Sequence, residues 1–151
     1  MTSEFIELGE LRDGDLELVC LGQHAADEEK SLVPWYEFSM RHAQSGEHMG
    51  KISLRLGNPS HLLLYGGHIG YNVEEPYRGH RFAARSIRLL FPLAKAHGLN
   101  PLWITCDPDN VASRRSCKLT GGVLKEIVDL PPDTDLYERG LRQVCRFRFD
   151  L

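Results

Sequence analysis

The chain has 151 residues, 42% of them hydrophobic and 26% charged, with a formal net charge of −3. That is one domain's length with ordinary globular composition, so a real core is expected and there is no basic field to hold nucleic acid or an anionic membrane. No apolar run approaches a membrane span, and Met1 to Phe5 lack the basic and then apolar order of a leader.

Residues 1–14 are mixed and end in the turn signal Asp13-Gly14. Leu16 to Leu21 reads as a short strand, and the polar stretch His24 to Lys30 as one helical turn. Trp35 to Ala43 alternates: Trp35, Glu37, Ser39 and Arg41 share one face, and Tyr36, Phe38 and Met40 share the other, as in a half-buried strand. Gln44 to Glu47 forms a hairpin turn, and Met49 to Leu56 is the return strand. Gly57-Asn58-Pro59-Ser60 breaks the chain. A long strand over His61 to Val73 follows, with a bulge at Gly66-Gly67.

The period then changes. Ala83, Ile87, Leu90 and Ala94 recur at helical spacing, with Gly98 as the stop and Pro92 as an interior irregularity expected to kink the helix. Leu102 to Cys106 is a short buried strand. Asp107 to Asn110 is a turn able to cap a helix over Val111 to Thr120, which ends at Gly121-Gly122. Val123 to Leu130 and Leu141 to Phe149 are two further strands around a polar loop, Pro131 to Gly140. This order predicts one α+β domain over residues 1–151: a mixed, mostly antiparallel sheet of about six to seven strands with helices packed on it. Cys20, Cys106, Cys117 and Cys145 are scattered, and the seven histidines have no metal-ligand spacing. Free thiols in a reducing cytoplasm and no metal are therefore expected.

Two segments carry chemistry. A strand that ends in a tight turn and opens a helix offers unpaired N–H groups and a positive dipole end to an anion. Here that turn is Tyr77-Arg78-Gly79-His80-Arg81-Phe82-Ala83: a glycine for close approach and three basic side chains. By itself it describes only a generic phosphate site. The second segment places Asn110 and Ser113 three apart at the start of a helix, followed by Cys117, Gly121 and Gly122.

Together these segments resemble the GNAT superfamily of N-acetyltransferases. The family's phosphate turn, Arg/Gln-x-x-Gly-x-Gly/Ala after a strand ending Val-x-Pro-x-Tyr, is met at Val73, Tyr77, Arg78 and Ala83, with Arg78-Gly79 as the common Arg-Gly pair. Its later motif, Asn-x-x-Ala/Ser-x-x-x-Tyr/Leu-x-x-x-Gly-Phe, is met at Asn110, Ser113 and Gly121. Ile69-Gly70-Tyr71 and Asp107 to Ser113 are most similar to the ribosomal-protein-type branch. The likeness covers about residues 62–122.

The resemblance implies a sheet with helices on both faces, splayed between the fourth and fifth strands. It implies acetyl-CoA as co-substrate and an amine of a small molecule, protein or peptide as acceptor. The coenzyme would be held by Tyr71, Val73, Arg78, Gly79, His80, Arg81, Phe82, Ala83, Asn110, Ser113 and Cys117. For the base, His68 and Glu74 or Glu75 are candidates, and for the acid Cys117 or Tyr137. Arg81, Cys117 and Gly122 depart from the family's glycine, tyrosine and phenylalanine. About a dozen residues separate the first strand from Trp35, where many members carry two helices that wall the acceptor site. These departures also admit a CoA-binding module without turnover, or transfer of a longer acyl group. A sheet edge offers a route to a homodimer.

Overall fold

The computed structural model describes residues 5–151. Met1 to Glu4, part of the segment read above for a leader, lie outside the described residues. Eight strands form two antiparallel ladders. The first, in order β1-β2-β3-β4-β5, consists of β1 (Leu11–Asp13), β2 (Leu16–His24), β3 (Trp35–His42), β4 (His48–Arg55) and β5 (Ile69–Val73). The second, in order β6-β8-β7, consists of β6 (Leu102–Cys106), β7 (Val123–Asp129) and β8 (Gln143–Phe149). Helices α1 (Phe82–Ala96) and α2 (Val111–Leu119) flank β6 in sequence, and the short α3 (Asp135–Glu138) lies between β7 and β8.

The alternation in β3 decides which face is the core. Phe38 stands opposite Ile52, and Ile52 opposite Tyr71, so one face of three strands is apolar. Tyr36, Phe38, Met40, Ile52, Leu54 and Ile69 are buried there against Phe82, Ile87, Leu90 and Ala94 of α1. Each such side chain contributes roughly 1.5–3 kcal/mol by leaving water. Leu102 and Ile104 of β6 stand opposite Phe149 and Phe147 of β8, and all four join the same core. The opposite face of the first ladder is polar, with Lys51 Nζ 3.9 Å from Glu37 Oε2.

Four local expectations change. The strand predicted over His61 to Val73 begins only at Ile69; Leu62–Gly66 is instead a π-helical turn, closed by the Gly67 N–H on the Leu62 carbonyl at 2.6 Å. Four successive apolar residues carry no periodicity that separates strand from helix, and Pro59 supplies the carbonyl on which the turn starts. Second, His24 to Lys30 holds no helical turn. β2 runs on to His24, and Asp27 and Leu32 pair across a tight reversal. Third, β1 is an added strand, paired Leu11 to Leu18 and Asp13 to Leu16 across the Asp13-Gly14 turn. Fourth, the Pro131 to Gly140 loop contains α3, capped by the Thr134 hydroxyl, which accepts the Tyr137 N–H. α1 runs unbroken past Pro92.

The sheet opens where the resemblance implied, between β5 and β6, and far enough to divide the ladders. The strands meet at one joint. The His68 N–H donates to the Trp103 carbonyl at 2.7 Å, and the Trp103 N–H donates to His68 Nδ1 at 2.9 Å. Gly67 makes the approach possible: a Cβ there would stand 3.0 Å from the Thr105 nitrogen. Beyond the joint the two strands diverge, leaving a wedge. α1 and α2 lie on the core face. The π-helical turn lies on the other, where the Leu63 carbonyl accepts from Arg146 and the Tyr65 carbonyl from Thr105.

Candidate functional site

The wedge is made by strand alternation. The Glu74 N–H bonds the Met49 carbonyl, and the His68 carbonyl accepts from Arg55. In an antiparallel pair, successive residues point their amides to opposite sides. Even-numbered residues of β5 therefore face β4, and the amides of Ile69, Tyr71 and Val73 face the wedge. An extended ligand can pair with such a free edge.

At the wide end of the wedge the chain turns into α1. Gly79 takes φ +89°, and Arg81, the residue before the helix, is left-handed at φ 61°, ψ 25°. No side chain caps the first turn of α1, so its N–H groups point free into the opening. α2 starts across the gap. The Asn110 side-chain oxygen accepts the Ser113 N–H at 3.1 Å, which holds the first turn and leaves the Ser113 hydroxyl facing β5. That hydroxyl lies 2.5 Å from the Tyr71 hydroxyl.

These parts enclose a groove of about 580 Å³. Its lining brings together Tyr71, Val73, Arg78, Gly79, Arg81, Phe82, Ala83, Asn110 and Ser113 from the predicted set. Three arginines line it, the third being Arg115, and no carboxylate does. Arg78 donates from Nε to the Val73 carbonyl at 2.8 Å, so one edge acceptor is covered by an exposed side chain. Arg115, Ser116 and Leu119 were missed in the sequence. With Ala112 they form a stripe at spacings of three and four along α2, the pattern that would have found them.

Six predicted residues stand outside the lining; one of them is Glu74, exposed, with Oε1 3.8 Å from His48 Nε2. His80 is exposed, its ring centroid 5.7 Å from that of Phe82. Glu75 is exposed in the turn Glu75–Tyr77. Tyr137 belongs to α3, with the Arg142 guanidinium 3.8 Å from its ring centroid. Cys117 is fully buried on the inner side of α2, and burial pushes its thiol up to about 12. Cys106, at the end of β6, is pushed up to about 11 by the same cause. His68 is also fully buried, with both ring nitrogens engaged. Nδ1 accepts from Trp103, so Nε2 carries the proton and faces the Gly57 carbonyl at 3.1 Å and Asn58 Oδ1 at 3.0 Å. Burial holds its pKa down at about 4. This geometry makes His68 the pin of the joint and leaves it no free nitrogen for an acceptor amine. His48 Nδ1 is 2.6 Å from Ser39 Oγ, while His42 Nδ1 accepts from Gln44 and Ser45.

Gly122, where the family pattern has phenylalanine, is explained by packing. A Cβ there would stand 2.5 Å from the Phe149 ring, so Phe149 of β8 fills that space from the other side. Among the described residues, no group of three or more His, Cys, Asp or Glu is arranged to hold a metal, all four cysteines are free, and no helix is long and apolar enough to cross a membrane.

A family model described as "Acetyltransferase (GNAT) domain" matches residues 11–123. A comparison with curated proteins gives no match. Among solved structures, the ribosomal-protein-S5-alanine acetyltransferase of Vibrio fischeri superposes with a TM-score of 0.61 at 18% identity, covering 82% of this chain and 64% of that one. The Microcin C7 self-immunity acetyltransferase, solved with acetyl-CoA and AMP, gives 0.60 at 13% identity, covering 78% and 61%. The ribosomal L7/L12 alpha-N-protein acetyltransferase, solved with coenzyme A, gives 0.60 at 18%, covering 78% and 62%. The chain thus spans between 61% and 64% of the length of these three structures, and at such identities the likeness is one of fold.

Proposed function

The chain belongs to the GNAT acetyltransferase family, and from that premise we propose that it transfers the acetyl group of acetyl-CoA directly to a primary amine of a small molecule, protein or peptide. The groove carries this reading: a free strand edge, an uncapped helix start and three arginines without a carboxylate meet in about 580 Å³. Each part answers one part of the coenzyme. The wedge-facing amides of Tyr71 and Val73 suit the two amides of pantetheine. The N–H groups of residues 79–83 suit the pyrophosphate, with Arg78 and Arg81 beside them and Arg115 opposite. When Arg78 turns to phosphate it uncovers the Val73 carbonyl for the pantetheine arm.

Catalysis on this reading is largely positioning and polarisation. The edge N–H groups of β5 polarise the thioester carbonyl. The acceptor's ammonium loses its proton through water, with Glu75 the carboxylate at the mouth to receive it, since His68 has no free nitrogen. The polar outer face of the first ladder, with no long connection between β2 and β3 to cover it, is the side from which the acceptor approaches. One domain in a reducing cytoplasm fits the four free thiols.

Calorimetry with acetyl-CoA and desulfo-CoA tests the reading. We expect micromolar binding, weakened by Arg78→Ala and by Asn110→Ala; no binding below millimolar levels would overturn it. Turnover against a panel of amines tests the second half. Tight CoA binding with no acetylated amine would favour a CoA-binding module without turnover, a reading motivated by the engaged His68 and the buried Cys117. Comparing acetyl with longer acyl donors separates transfer of a larger group.

A further inference from the structure

In the family pattern the fourth position after Ser113 commonly carries tyrosine; here it is Cys117, buried and too short to reach the groove. The place this leaves is taken from the strand side. Tyr71 rises from β5, lines the groove, and carries its hydroxyl to within 2.5 Å of Ser113 Oγ on α2. The phenol therefore crosses the wedge and ends at the inner face of α2, one helical turn from the Cys117 position. Tyr71 is also the wedge-facing edge residue next to Val73, on the inner side away from the phosphate turn. An extended arm whose phosphates lie at residues 79–83 runs past Val73 and brings its distal end, the sulfur, to Tyr71.

On the strength of the acetyltransferase reading, we propose that Tyr71 donates the proton to the departing thiolate, replacing from strand β5 the phenol that the second helix otherwise supplies. The tetrahedral adduct collapses with cleavage of the carbon–sulfur bond, and that electron pair goes to sulfur. The Tyr71 O–H proton passes to sulfur and gives the free thiol of coenzyme A. The phenolate regains a proton from the Ser113 hydroxyl, which is replenished through groove water by the proton the new amide nitrogen releases. Ser113 is thus a positioning residue, itself fixed by the Asn110 cap.

The ionisable groups acting on the phenol are the thiols of Cys117 on α2 and Cys106 on β6. Burial, first, and these thiols raise its pKa, so it stays protonated through the neutral range, the state a donor requires. The family pattern accepts alanine or serine at the Ser113 position. The hydroxyl is therefore free to serve the phenol here.

Tyr71→Phe keeps the ring and removes only the hydroxyl. We expect unchanged circular dichroism and CoA affinity within twofold. We expect kcat for the best amine in the panel to fall about 100-fold with little change in KM for acetyl-CoA. Independently of any acceptor, the thiol of bound CoA, followed by thiolate absorbance, should titrate at higher pH in the variant, because a donor to sulfur has been lost. Ser113→Ala should give a smaller loss of kcat, about tenfold. Wild-type rate and wild-type thiol titration in Tyr71→Phe would overturn the assignment, as would loss of CoA binding together with rate, which marks a purely structural residue. If wild type acetylates no amine but the thiol titration still shifts, the Tyr71 contact stands and the transferase reading fails.

Discussion

Arg81 stands where the family's turn has glycine, and its backbone is left-handed at φ 61°, ψ 25°. Substitution can separate the backbone effect from the side-chain effect. Arg81→Ala removes the guanidinium and keeps the left-handed cost, about 1–2 kcal/mol for a residue with a Cβ. Arg81→Gly removes both, and returns about 0.5–1 kcal/mol through the greater freedom of glycine in the unfolded chain. The glycine variant should therefore exceed the alanine variant in stability by about 0.5–1 kcal/mol. For a chain of this size that is a melting difference of about 2 °C. Both variants lose the same charged donor, which on the proposed reading lies at the phosphate end. A charge-assisted hydrogen bond contributes about 1.5–3 kcal/mol when sheltered; Arg81 is exposed, so we expect about 1 kcal/mol, or about fivefold weaker CoA binding in both. Scanning fluorimetry without ligand reads the first effect and calorimetry the second. Equal melting of the two variants would show that the left-handed turn stores no strain. Wild-type affinity in Arg81→Ala would show that the guanidinium does not reach the phosphates.

The pinned His68 makes stability depend on pH. Its ring protonates near 6.5 when unfolded and at about 4 when folded, so its contribution is complete above about pH 6.5 and falls by about 3 kcal/mol as pH drops toward 4. Urea titrations at several pH values should show this slope, and His68→Gln should be less stable at neutral pH but flatter across the same window. Gly122→Ala forces a methyl against the Phe149 ring and the Cys117 carbonyl and should cost about 1–3 kcal/mol, read from the urea midpoint. Asn110→Ala removes the α2 cap and should cost about 1 kcal/mol of stability in addition to CoA affinity; full stability in that variant would remove the cap from the account.

The hairpin of β3 and β4 was legible because its alternation is strict and its buried face is unambiguous. The turn into α1 and the Asn110 cap were legible because each needs particular residue types at fixed spacing. Strand β1 was not, since three residues offer no period to read. Leu62 to Tyr65 misled because an unbroken apolar run fits a strand and a helical turn equally, and only its packing on β6 and β8 decides. The role of His68 was hidden for a related reason: its neighbours place it on a strand, but its partners Trp103, Gly57 and Asn58 are distant in the chain or across a turn. Tyr71 and Ser113 could each be assigned to the groove, yet their 2.5 Å contact exists only because the wedge brings β5 and α2 face to face.

That β5 and β6 share only the His68 joint has a consequence for how the molecule persists. An extended ligand that pairs with the free edge of β5 acts as a further strand. By mass action such a ligand adds about 2.7 kcal/mol of stability at one hundred times its dissociation constant. A protein arranged this way would have a lifetime that follows the supply of that ligand: durable when it is plentiful, and more readily unfolded and cleared when it runs short.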